Sequence, residues 1–391
     1  MAPVALLHSL TVGGLRSYGP EPITVPLAPL TLVFGPNSAG KSSLLSVLPL
    51  LRQSAGRRDR LVMRGHLVDA GSFRSAVHRH REDIPLTLGL GWTPTGVDGA
   101  PARELVAEYR WDAEHRAPRR SLATLTSGGD TMRLEGASTS WGDPATTAAA
   151  AYLVEEAAEV LERVALLGPM RARPDRAVSL GASDGRDVGP SGEGTAELLH
   201  DRPDLLEAVN AWCARLGFGY EVHMLEPVSR ELVLAAGDLA VMGLVDVRQD
   251  PPVLVSPHAV GFGVGQLLPV ITQCLLSRDG VVIVEQPEVH LHPRLQAAVG
   301  DLFVDTATSG RAQVIVETHS EHLVLRLLRR VREGEIPAED LAVLYVDLHD
   351  DGAARVRRLR VDDDGELVDG WPGSFFDERL DEVLPTRATP S

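Results

Sequence analysis

Residues 35–42 read Gly-Pro-Asn-Ser-Ala-Gly-Lys-Ser, after the apolar run Leu30–Phe34 and before a stretch with helical spacing. Glycines so placed let backbone N–H groups turn inward around a phosphate, and the helix start adds the positive end of its dipole. Lys41 reaches the outer phosphates and the Ser42 hydroxyl takes a place on Mg²⁺. The expected cradle is Gly35, Pro36, Asn37, Ser38, Ala39, Gly40, Lys41, Ser42 and Ser43, and the expected ligands are ATP and Mg²⁺. Such a loop needs an acid for the metal. The apolar run Val281–Val284 ends in Glu285, and this strand is expected beside Leu30–Phe34, with Glu285 near Ser42.

The residue after that acid raises a question. Hydrolysis calls for a second acid there to activate water, and the chain has Gln286 before Pro287. A neutral amide orients water but takes no proton near pH 7, and loss of a general base costs about 10²–10⁴-fold. Glu288 is the natural substitute, so slow turnover is expected. His290 and His292 have no third ligand nearby and are read as structural.

These residues need a frame. Strands are expected at "VALLHSLTV", "ITVPLAPLTLVF", "GVVIVE", "AQVIVET" and "LAVLYVDL". Helices are expected at "SSLLSVLPLLRQS", disturbed by Pro49, and at "GVGQLLPVITQCLLS", "HPRLQAAVGDLFVDTA" and "SEHLVLRLLRRVREGEI". Such alternation predicts an α/β fold with a mainly parallel core sheet. Residues 67–125 alternate apolar and polar, predicting an antiparallel section. Pro144 to Leu167 reads as one helix, residues 168–200 hold a Gly- and Pro-rich loop, and strands follow a helical stretch to about 256. The expected sections are 1–66, 67–167, 168–258 and 259–391, with the first and last forming one ATP-binding unit.

The net charge is −16. Phosphate contacts dominate non-specific nucleic-acid affinity, so nucleic acid as a partner is not supported by the charge. The basic run holding Arg52, Arg57, Arg58, Arg60 and Arg64 is its one candidate, against a plain solvated face. Arg171 and Arg173 face either phosphate or a partner, or solvent. No apolar run nears the ~18 residues of a membrane span. Cys213 and Cys274 alone point to a reducing cytoplasm without disulfides or a zinc site.

The motifs together resemble the ABC-type ATPase heads of the OLD, RecF and SMC group, found in bacterial "AAA family ATPase" proteins. "PLTLVFGPNSAGKSSLL" is similar to the Walker A segment, "EQPEVHLHP" to an extended Walker B and "VIVETHSEHLVLRLL" to the histidine-switch segment. "GFGVGQLLPVI" occupies the place of the ABC signature. "LVDAGSFRSAVHRH", "LGPMRARPDR", "DVGPSGEGTAELL" and "WPGSFFDE" resemble blocks of a small, nuclease-free subfamily. The resemblance implies a P-loop core with an antiparallel β subdomain and a helical subdomain. It implies that Gln53 senses Mg²⁺ and the γ-phosphate and that His319 contacts the γ-phosphate region. It also implies that Gly263, Gly265 and Gln266 complete the partner's site, so ATP is sandwiched in a head-to-tail homodimer. Gly263 stands where the signature usually has Ser. The expected function is an ATP-gated head regulating a separate effector, in phage defence or nucleic-acid surveillance. The alternatives are a stand-alone DNA-binding repair ATPase and a nucleotide switch with little turnover. Asp347, Asp350, Asp351 and Asp362–Asp364 are read as turn residues rather than a nuclease centre.

Overall fold

The computed structural model describes residues 5–372 apart from 58, 97–98, 137, 139, 141–142, 173–176, 182–184 and 226–238. The chain opens with β1 (Ala5–Gly13), β2 (Ile23–Pro26) and β3 (Leu30–Phe34), then α1 (Lys41–Leu45) and α2 (Val47–Ser54). After α3 (Phe73–Ala76) come β4 (Leu86–Pro94), β5 (Arg103–Asp112), β6 (Ala117–Ser127), β7 (Asp130–Glu135), α4 (Pro144–Glu162) and β8 (Val164–Leu167). The middle holds β9 (Ala177–Ser179), α5 (Thr195–Asp201), α6 (Pro203–Arg215), β10 (Tyr220–Leu225), β11 (Leu239–Asp246) and β12 (Val253–Val255). The last part is α7 (Phe262–Leu276), β13 (Gly280–Glu285), α8 (Pro293–Thr308), β14 (Ala312–Glu317), α9 (Glu321–Arg332), β15 (Leu341–Leu348) and β16 (Ala354–Leu359).

The central sheet has the order β16-β15-β3-β14-β13-β8, parallel throughout except for the edge strand β16. Its strands are continuous apolar runs because both faces are covered. Leu30, Leu32 and Phe34 pack into one core with Leu267 of α7, Phe303 of α8 and Leu327 of α9. Val33 enters a second core with Leu48 of α2, Leu10 of β1 and Leu88 of β4. β13 divides in the same way, Val282 and Val284 on one side and Val281 and Ile283 on the other. A second, antiparallel sheet runs β2-β1-β4-β5-β6-β7, and a third holds β9 to β12. Buried Gln313 on β14 ties the first two sheets together, exchanging bonds with Leu7 N–H (3.0 Å) and Leu7 C=O (2.6 Å).

Three expectations need correction. β13 does not lie beside β3, because β14 is inserted between them. Residues 164–167 are not the end of a helix. α4 stops at Glu162, and the four buried apolar residues of β8 pair with β13 at the sheet edge. Pro49 does not break its helix. It sits in the first turn of α2, where no intrahelical N–H is required, and the interruption falls at Ser46.

Candidate functional site

Parallel strands end together, so their carboxyl ends share one sheet edge where loops meet a ligand. Glu285 of β13 is the register partner of Glu317 of β14, and Glu317 is the partner of Val33 of β3. The loop after β3 closes over this edge. Gly35 has φ 144°, and a Cβ there would lie 2.1 Å from the Val346 carbonyl oxygen. At Gly40, φ 115°, a Cβ would lie 2.5 Å from Ser17 Oγ. The turn at 16–18 braces the loop from outside, with Tyr18 donating to the Gly40 carbonyl at 3.2 Å. Lys41 is 4% exposed and donates to the carbonyls of Gly35 (3.0 Å) and Pro36 (2.8 Å). Burial lowers its pKa, while the charges of Glu317 and Glu288 oppose the shift. A cleft of about 400 Å³ opens between loop residues 37–43, Arg16, Ser17, Gln286, Glu317 and His319.

Two of the lining groups escaped the sequence reading. Ser42 Oγ donates to Glu317 Oε2 at 2.8 Å, and Glu317 is 2% exposed. The available signal was a repeat: β13 and β14 both end in Ile-Val-Glu. Arg16, in "GLRSYGP", belongs to no phosphate-loop motif and joins the cleft through the 16–18 turn.

Gln286 lines the cleft from a left-handed backbone, φ 46°, and its N–H donates to the Glu317 carbonyl at 2.7 Å. Glu288 lies beneath it, and both its oxygens are occupied. Oε2 accepts from Thr318 Oγ1 at 2.8 Å and Oε1 from His319 N–H at 2.6 Å. It therefore anchors the 318–319 turn. Burial raises its pKa against these bonds. Burial, then the Lys41 charge, holds His319 below the usual histidine range.

Arg171 faces inward. It is 3% exposed and donates to the carbonyls of Gly168 (2.9 Å), Glu285 (3.1 Å) and Gln286 (2.9 Å). Arg173 and Arg58 lie outside the described residues. Arg52 also turns inward, bonding Val164 C=O at 2.6 Å and pairing with Asp187 at 2.9 Å.

The structure does not bring every expected residue to the cleft. The Gln53 amide closes its own loop instead, donating to Val62 C=O (2.7 Å) and Val68 C=O (3.2 Å) and accepting from Val68 N–H (3.2 Å). Gln266 is 1% exposed and exchanges two bonds with the Arg171 backbone, at 2.6 and 3.3 Å, and Gly265 is buried beside it. Neither Gly265 nor Gln266 is exposed at the surface. Gly263 has a steric reason for lacking the expected hydroxyl, since a Cβ would come 2.7 Å from the His290 carbonyl oxygen. The His290 ring packs on Phe262 with centroids 4.6 Å apart, and His292 caps α8. Asp347 is paired with Arg355 and Arg357.

Burial, then the Glu317 charge, push the Glu285 carboxyl up from 4.5 to about 7, with Arg16 and Arg171 pulling the other way. The folded state thus binds this proton more tightly than the unfolded chain. The stability it contributes is complete below the unfolded value and lost as pH rises through about 7. Metal-free protein is expected to lose urea resistance between pH 5 and pH 8, and Glu285→Gln to flatten that slope. An unchanged slope in the variant would remove Glu285 as its source.

Among the described residues, no three His, Cys, Asp or Glu side chains are grouped to hold a metal. Mg²⁺ asks for less, one or two carboxylates plus substrate phosphates and waters. The hydroxyl of Ser42 and the carboxylates of Glu285 and Glu317 form an oxygen donor set of that kind beside the phosphate loop, so the residues fit this ion.

Comparison with known proteins places the fold. Residues 244–326 match a family model described as "AAA domain, putative AbiEii toxin, Type IV TA system". An SMC head solved in complex with the C-winged helix domain of ScpA aligns with a TM-score of 0.54 at 14% identity, over 91% of this chain and 98% of that one. A Pyrococcus furiosus Smc head with an extended coiled coil, bound to the C-terminal domain of ScpA, gives 0.50 at 13%, over 91% and 96%. No curated protein matches the chain. The chain therefore has the α/β fold of SMC head domains. No helix among the described residues is long and apolar enough to cross a membrane.

Proposed function

We infer that the protein is an ATP-binding, slowly hydrolysing ABC-type head. The observation that carries this reading is the meeting of Lys41, Ser42 and Glu317 in one cleft at the edge of the parallel sheet, with Glu285 in register on the neighbouring strand. Lys41 neutralises the outer phosphates, and the loop N–H groups hold them. Bound Mg²⁺ supplies charge neutralisation at the phosphoryl oxygens. Gln286 faces the cleft and orients water without accepting its proton, while the His319 ring, also on the cleft, donates a hydrogen bond.

Steady-state ATP hydrolysis tests the reading, with Lys41→Ala as the blank. Turnover below ~10 s⁻¹, the typical enzyme median, is expected. Gln286→Glu is expected to raise it by about tenfold or more, because a carboxylate gains the proton-accepting role. An unchanged rate would show that position 286 does not limit hydrolysis. Turnover no higher than the blank, with ATP still bound, would favour a binding switch, which Gln286 also supports.

In this reading the head dimerises around ATP through the partly exposed start of α7, at Phe262–Val264, with its first-turn N–H groups facing the partner's nucleotide. The ScpA-bound heads support a separate protein partner, and the toxin–antitoxin name of the family model supports a role in phage defence. Light scattering with and without ATP tests the dimer.

A further inference from the structure

We propose that Glu317, at the end of β14, is a second carboxylate ligand for the nucleotide's Mg²⁺, acting with Ser42 and Glu285. This rests on the reading of the cleft as a Mg²⁺–ATP site. Three observations point to the role. The residue lines the cleft and holds the hydroxyl of Ser42, the phosphate-loop group that faces the metal. It is the register partner of Glu285 on the neighbouring parallel strand, so two carboxylates stand side by side at the sheet edge. Among the described residues neither is in an ion pair within 4 Å, and the nearby Lys41 ammonium gives hydrogen bonds to the Gly35 and Pro36 carbonyls rather than to either acid.

Two carboxylates taken largely out of water repel each other and lose hydration, a cost that a cation between them offsets. One hydroxyl donor leaves most of the Glu317 lone pairs unfilled. Arg171 is near Glu285 but donates to the main-chain carbonyls of Gly168, Glu285 and Gln286. A divalent cation with oxygen ligands supplies the missing charge, and phosphates and waters complete its shell. The neighbour of Glu285 in sequence is a neutral amide. Its neighbour in space is an acid.

Glu317→Gln separates charge from packing, because the amide oxygen still accepts from Ser42 at nearly the same size. The probes are Mn²⁺, followed by electron paramagnetic resonance with β,γ-imido-ATP, and a fluorescent ATP analogue titrated in EDTA. The variant is expected to bind Mn²⁺ about tenfold or more weakly, with metal-free nucleotide affinity unchanged or tighter, since a negative charge facing the phosphates is gone. Wild-type Mn²⁺ affinity in the variant would overturn the proposal. So would an equal loss of nucleotide affinity with and without metal, which would mark a packing role. If wild-type protein binds no nucleotide and Lys41→Ala changes nothing, the ATP-site reading itself fails.

Discussion

Lys41→Ala is expected to bring ATP turnover to background and to weaken nucleotide binding about 10²–10³-fold. The ammonium is buried, fixed by two loop carbonyls at 3.0 and 2.8 Å, and lines the cleft. A charge held so needs no reorganisation when it meets a phosphate, and its burial limits screening. Alanine also leaves the Glu317 and Glu288 charges, which favour the ammonium, without their nearest compensation. Isothermal titration with ATP and a phosphate-release assay measure the two effects. Wild-type turnover in the variant would mean that hydrolysis occurs elsewhere or comes from a contaminant.

Arg171→Met is expected to cost about 3 kcal/mol of stability and to lower kcat by about 10²-fold, with nucleotide affinity changed less than about threefold. Three carbonyls lose their donor, and each buried unsatisfied acceptor costs about 1–3 kcal/mol. Two of them belong to Glu285 and Gln286, so the left-handed turn that aims Gln286 at the cleft loses its support. Arg171 itself does not line the cleft, which is why affinity is spared. Its charge also helps hold the Glu285 carboxyl down, so the acid limb of the rate profile moves to higher pH in the variant. Arg171→Lys is expected not to rescue, because an ammonium lacks the planar fork that spans the three acceptors. Full turnover in the lysine variant, or parallel losses in kcat and affinity, would reduce Arg171 to a packing residue. Gln266 holds the Arg171 backbone from α7, so Gln266→Leu and Arg171→Met should be non-additive in kcat.

The phosphate loop and the α/β class were legible in the sequence because their signals are local. Gly35 and Gly40 need backbone angles that few other residues adopt, and Lys41 and Ser42 follow within the same turn. Buried parallel strands such as Leu30–Phe34 and Val281–Val284 show as unbroken apolar runs for a similarly local reason. Which acid meets Ser42 depends on strand order. Inserting β14 between β3 and β13 puts Glu317 at the serine hydroxyl, across 275 residues of chain. Spacing along the chain carries no trace of such a neighbour. Polar side chains show the same division. Gln53, Gln266, Glu288 and Arg171 are plausible ligands by type, and only packing settles which partners they have, since a buried amide, acid or guanidinium must first satisfy the main chain around it. The sequence by itself determined the α/β class and the glycine-rich loop with its lysine and serine. The tertiary structure decided which carboxylates face it and which residues hold them, because those contacts come from strand order and burial.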